Sequence, residues 1–311
     1  YGANPPLKEL RAFDITVVDP DHTNIDPQQY NTADSQLFAY ASLGEVHQSK
    51  NYFNQIPKAW LKTKNQAWNS YVIDQSLPEW PQFFIEQVLA PLWAKGYRGF
   101  FLDTLDSYQL MSQNDQQRQV QQQGLINTIN AIKTRWPEAK LIFNRGFEIL
   151  PQVHDAAFMV AAESLYQGWN AGQQRYYTIK EDDRTWLQNQ LQQVKEKYHL
   201  PILVIDYVAN NQRELARQTA AKIRQDGFTP WVSTGDLDSI GVGNLEILPR
   251  KVLVIYNPSE APDLHYQDAA RFLGAPLAYL GLVPEFLPLN GQLPSKDLIG
   301  RYAGIISWIN S

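Results

Sequence analysis

A chain of 311 residues, 44% of them apolar, can bury a large core, and its length fits one large domain with a smaller appendage. The net charge of -5 argues against nucleic acid as a partner, because such binding needs clustered Lys and Arg to displace counterions. No apolar run approaches the roughly 20 residues that cross a bilayer, so no membrane insertion is expected, and the lack of cysteine removes disulfides, zinc thiolates and thiol catalysis.

The chain opens at Tyr1 rather than at a Met, as a trimmed product would. From there short apolar runs alternate with amphipathic stretches. In order they are ITVVD (15–19), LFAYAS (37–42), SYVID (70–74), GFFLD (99–103), LIFN (141–144), AFMVAAE (157–163), ILVID (202–206) and TPWVS (229–233). Strands that are apolar throughout imply a parallel sheet covered on both faces, and eight of them imply a (β/α)8 TIM barrel, an α/β fold. Two numberings compete. Either SYVID belongs to the barrel wall, or Tyr1 and Gly2 are the tail of a first strand and SYVID is an additional piece. In both, GFFLD is the fourth strand and AFMVAAE the sixth.

Between the strands, residues 80–95 carry apolar positions at helical spacing, with Gly96 as C-cap. The Gln-rich stretch 113–136 reads as a helix with a polar outer face, its inner side marked by Val120, Leu125, Ile129 and Ile132. Beyond the barrel the pattern changes. A strand (251–257), a helix (265–280), a second strand (283–290) and a final apolar run (302–309) form the opening of a short doubly wound α/β segment. The expected division is a barrel domain over 1–247 and the start of a flavodoxin-like segment over 248–311. That segment is expected to belong to a longer chain or to pack on the barrel.

Active sites of parallel barrels gather at the C-terminal strand ends. Those ends carry Asp19, Asp21 and His22, then Glu45, then Asp103 and Asp106. They continue with Asn144, Arg145 and Glu148, then Glu163, Asp206 with Tyr207, and Trp231. Asp106 precedes a helix and has a capping explanation. Asp103 follows four residues of barrel wall, where a charge needs a function or a structural partner such as Arg98 or Arg145. Glu163 ends FMVAA in the same way. Carboxylates on the fourth and sixth strands face each other across a barrel mouth, and glycosidases need such a pair. The five histidines are scattered without ligand spacing, so no metal and no other cofactor is expected. A carboxylate Mg2+ site from Asp103, Asp106 and Asp206 is the minor alternative. Asp236 and Asp238 disfavour phosphate at GDLDSIGVGN (235–244).

The strings YGANPPLKEL, YASLGE, KNQAWNS, GYRGFFLDTLDS, FNRGFEILP and AAESLYQGW resemble the hydrolase domain of the Pel exopolysaccharide-modifying proteins. More distantly they are similar to the endo-α-1,4-polygalactosaminidases. The resemblance covers roughly residues 1–245. It implies a glycoside hydrolase that cuts internal α-1,4 bonds in a partly deacetylated, cationic N-acetylgalactosamine polymer, with Asp103 as nucleophile and Glu163 as acid/base. It places Glu45, Asn144, Arg145, Tyr166, Trp169 and Asp206 along the groove, although Trp169 reads equally as a core residue; their strand-end positions put Asp106, Tyr207 and Trp231 there as well. It also implies a periplasmic or secreted protein that meets exopolysaccharide secretion machinery. The rival readings are a non-catalytic carbohydrate-binding barrel in exopolysaccharide assembly and a metal-dependent lyase or phosphodiesterase.

Overall fold

Seven of the apolar runs form one parallel sheet in a computed structural model that describes residues 2, 5–23, 25–293 and 298–309. The first of two units, residues 1–244, contains in chain order β1 (Ile15–Val18), β2 (Gln36–Ser42), β3 (Glu45–His47), β4 (Leu61–Asn65) and β5 (Ser70–Ile73). There follow β6 (Gly99–Asp103), β7 (Lys140–Asn144), β8 (Ala157–Glu163), β9 (Gln167–Asn170), β10 (Arg175–Thr178), β11 (Ile202–Tyr207) and β12 (Thr229–Ser233). Strands β1, β2, β6, β7, β8, β11 and β12 lie side by side in that order, every pair parallel. The sheet curls into the wall of a (β/α)8 barrel. Phe13, just before β1, stands edge-on to Trp231 of β12 with ring centroids 5.1 Å apart, so the first and last strands meet through an aromatic pair.

The SYVID run is not part of that wall, which corrects one of the two numberings. Strand β5 pairs antiparallel with β3 and β4 in a small sheet inserted after β2. The polar strand β4 is joined to β5 by a short turn, which suffices for an antiparallel neighbour where a parallel partner needs a crossover. The other numbering rests on Tyr1, which lies outside the described residues. Gly2 donates its N–H to the Leu237 carbonyl at 3.0 Å.

Side chains alternate along a strand, so each barrel strand shows one row inward and the other to the helices. Phe38, Phe101, Ile142 and Ala161 form the inner cluster, with Tyr40 and Ile205 packed against it. Leu37, Phe100, Leu102, Leu141, Phe143, Val160, Ala162 and Val204 pack instead with the helix residues Leu125, Ile129, Leu191 and Ile223. Extended by two residues, the inner row reaches Asp103, Asn144, Glu163 and Tyr207.

The helix Asp115–Arg135 forms, capped by the Asn114 side chain, and buries Leu125, Ile129 and Ile132. Val120 is exposed, contrary to expectation, and Gln121 is buried in its place because its amide bonds the Gln75 N–H and Asp74. Residues 80–94 are helical with a wide turn at Phe84–Leu89, beside Pro91, which has no N–H to offer the ladder. Gly96 ends the stretch at φ +105°, a left-handed position that glycine adopts freely.

The second unit, residues 245–311, holds β13 (Lys251–Tyr256), β14 (Val283–Pro288) and β15 (Gly304–Trp308), with the helix Asp268–Tyr279 between the first two. All pairs are parallel in the order β14-β13-β15, which places the first strand centrally as in a doubly wound sheet.

Candidate active site

Asp103, Asn144 and Glu163 are the last residues of the adjacent strands β6, β7 and β8, and Tyr40 and Tyr207 stand on the strands flanking them. The five side chains are joined by one run of hydrogen bonds. Tyr40 donates its hydroxyl to Asp103 Oδ2 at 2.6 Å, and Tyr207 donates to Glu163 Oε2 at 2.7 Å. Between them, Asn144 Nδ2 donates to Asp103 Oδ1 at 2.7 Å and to Glu163 Oε1 at 2.9 Å. The two hydrogens of an amide nitrogen point about 120° apart, so these bonds hold the nearest carboxylate oxygens roughly 5 Å from each other. Even laid end to end, the two bonds fall short of the roughly 6.5 Å at which a water fits between such a pair.

Each of the three strand ends is followed by a residue in the left-handed region: Thr104 at φ 63°, Arg145 at 60° and Ser164 at 63°. The chain therefore turns away at once and leaves the preceding side chain at the rim. This conformation is unfavourable, above all for β-branched Thr104, and persists only where surroundings impose it. The Thr104 hydroxyl accepts the Gly44 N–H at 2.8 Å and shares a hydrogen bond with Ser42 Oγ at 2.8 Å. A Cβ on Gly44 would come within 2.0 Å of the Thr104 carbonyl oxygen, so this contact requires glycine.

Burial raises the Glu163 carboxyl above the ordinary glutamate value, and the nearby Asp103 charge raises it further. The donors Tyr207 and Asn144 and the Arg145 charge oppose that rise. Burial and the adjacent carboxylates lift Tyr40 and Tyr207 well above the usual phenol range, so both remain protonated donors. Arg145 places Nη2 at 3.3 Å from the Glu163 carbonyl and Nη1 at 3.9 Å from Asp106 Oδ2. Burial also raises Asp106, against the pull of Arg145, and its side chain makes no helix cap. Arg98 is occupied by the Trp93 and Tyr97 carbonyls, so it does not pair with Asp103.

The other expected groove residues have partners of their own. Asp206 is one residue out of phase with Tyr207 and faces the helix side, fully buried. Its oxygens accept the N–H groups of Leu165, Tyr166 and Gln167 at 2.7 to 2.8 Å, so it anchors the turn that follows Glu163. Burial pushes it up to about 6 in spite of those donors. This position also separates it from Asp103 and Asp106, so the three do not converge as an Mg2+ cluster. Glu45 is 4% exposed and accepts from Asn65, Ser70 and Ser107, which makes it a structural clamp. Tyr166 donates to Asp226 at 2.6 Å, with Arg184 and Lys222 over its ring, so it is tied to helix residues. Trp169 lies 4.5 Å from the Tyr176 ring and against Gly235, and Trp231 is committed to Phe13. Tyr40 was not anticipated, since a tyrosine inside the run LFAYAS reads as wall; its inward phase is the signal that would have found it.

The family model for glycoside hydrolase family GH114 matches residues 1–246. The glycoside hydrolase domain of PelA from Pseudomonas aeruginosa is 36% identical, with a TM-score of 0.72 over 79% of this chain and 97% of that one. Ega3 of Aspergillus fumigatus, solved in complex with galactosamine, is similar in fold, with 15% identity and a TM-score of 0.56 over 78% and 91%. An uncharacterized protein of Methanocaldococcus jannaschii is 22% identical over 229 residues, 68% of this chain. The chain spans 65% of the length of that curated relative.

Proposed function

The chain belongs to glycoside hydrolase family GH114, and from that premise we propose that it cuts α-1,4 linkages within a partly deacetylated N-acetylgalactosamine polymer, with retention of configuration. Asp103 is the nucleophile and Glu163 the acid/base. The observation that supports this reading is the single Asn144 nitrogen bonded to both carboxylates, which keeps their nearest oxygens close, in line with the separation of about 5 to 5.5 Å that retaining enzymes use. The galactosamine assignment draws on the resemblance described above and on the galactosamine bound by Ega3.

In an α-linked 2-acetamido sugar the acetamide and the leaving group are cis, so the substrate cannot displace its own leaving group from behind. A protein nucleophile is therefore needed. An Asp103 oxygen attacks C1 while Glu163 gives its proton to the departing glycosidic oxygen. The glycosyl ester on Asp103 is neutral, which removes the charge that raises Glu163 beyond the effect of its burial. Glu163 then takes a proton from water, the resulting hydroxide attacks C1, and Asp103 is released as carboxylate. Deacetylated units are cationic and suit a protein of net charge -5. The same resemblance supports a periplasmic or secreted setting beside exopolysaccharide secretion machinery. We further propose that residues 248–311 begin a separate flavodoxin-like domain.

The test follows new reducing ends and product anomer by NMR, using an α-1,4 galactosamine/N-acetylgalactosamine polymer. Wild type is expected to release the α-anomer first, and Asp103→Asn and Glu163→Gln each to lose on the order of 10³-fold or more in rate. Initial release of the β-anomer would exclude retention. Binding of the polymer with no cleavage would make the barrel a carbohydrate-binding module.

A further inference from the structure

Trp68 is 60% exposed, in the four-residue turn that joins β4 to β5. A single exposed aromatic is ordinary on a protein surface, so exposure alone has no meaning. Its placement does. Asn65 and Ser70, the register pair that closes this turn, both donate to the buried carboxylate of Glu45. The same carboxylate accepts from Ser107 Oγ at 2.5 Å, four residues beyond Asp103. A carboxylate removed from water is stable only when donors surround it, so Glu45 ties the turn to the segment that leaves the nucleophile strand. Asn69 adds a left-handed residue, φ 53°, directly after Trp68. The turn is thereby held at the C-terminal end of the barrel, where the mouth is. Among the described residues no ring or cation packs on Trp68.

We propose that Trp68 is a sugar-binding platform on the rim of the mouth, stacking on a unit of the polymer away from the bond being cut. This rests on the polysaccharide-hydrolase reading above. An indole offers a flat apolar face to the C–H face of a pyranose, and its negative ring face attracts an ammonium group such as that of a deacetylated unit. Contact with a remote unit binds substrate and transition state alike, so it lowers KM and leaves kcat alone.

The experiment measures the dissociation constant of the galactosamine/N-acetylgalactosamine polymer for the Asp103→Asn protein, alone and combined with Trp68→Ala, Trp68→Phe or Trp186→Ala. Trp186 is the comparison because it is 51% exposed on the helix Glu181–Tyr198. Trp68→Ala is expected to weaken binding roughly tenfold, with Trp68→Phe and Trp186→Ala close to the parent. Equal affinity for Trp68→Ala and the parent, or an equal loss in Trp186→Ala, overturns the platform. If the parent binds no polymer and wild type releases no reducing ends, the polysaccharide reading itself fails.

Discussion

Asn144 has one amide nitrogen and two carboxylates to hold. Its Oδ1 is left buried without a partner among the described residues, a cost that native proteins tolerate mainly where the group has work elsewhere. Each donor on Glu163 stabilises the ionised form, so removing one raises the carboxyl further and moves the high-pH limb of the rate profile upward. Asn144→Ala and Tyr207→Phe are both expected to show that shift in kcat/KM against pH. Tyr207→Phe should cost about tenfold in rate, the equivalent of one hydrogen bond, and Asn144→Ala more. A loss of rate with no movement of the limb would mean that these donors only support the fold. At this scale the positions of Asp103 and Glu163 were legible because a carboxylate directly after Phe100, Phe101 and Leu102, or after Val160, Ala161 and Ala162, has few bland explanations. Asp206 was misread for a physical reason: a parallel strand is apolar on both faces, so the run ILVID does not reveal which phase points inward, and a slip of one residue exchanges the faces.

Strands β9 and β10 form the hairpin that follows Glu163, and two ties fix it. Asp206 holds the N–H groups at 165–167, and Gly235 donates its N–H to the Tyr176 hydroxyl at 3.2 Å. Asp206→Ala leaves three backbone donors unpaired. A destabilisation of about 3 kcal/mol or more is expected in denaturant unfolding, with faster hydrogen exchange at Leu165, Tyr166 and Gln167. Unchanged exchange there would show that the turn holds without the carboxylate. Elements were readable where length and period agreed, as in the helix 115–135, whose apolar spacing outweighed its many glutamines. SYVID was ambiguous because a run of its length serves equally in a barrel wall or in a hairpin, and only its partners decide.

For the molecule as a whole, a new strand-helix-strand pattern after residue 250 was visible in the sequence as a change of rhythm, while its limits were not. The stretch between Asn244 and Arg250 has neither helix nor strand, and Leu245 and Leu248 are 45% and 65% exposed. If residues 248–311 are a separate domain, limited digestion with thermolysin should cut before Leu245 or Leu248 and release a barrel fragment that still hydrolyses polymer. Loss of all activity on that single cut would count against the division. The three left-handed residues behind Asp103, Asn144 and Glu163 bear on how the barrel fails on heating. Each costs on the order of 1 kcal/mol, against a total stability of about 5 to 15 kcal/mol for a typical domain. The catalytic rim is therefore the part of the wall with most to gain by relaxing. Warming is expected to extinguish hydrolysis some degrees below the loss of far-ultraviolet circular dichroism, and reversibly, because the seven-stranded wall beneath is still standing when its edge lets go.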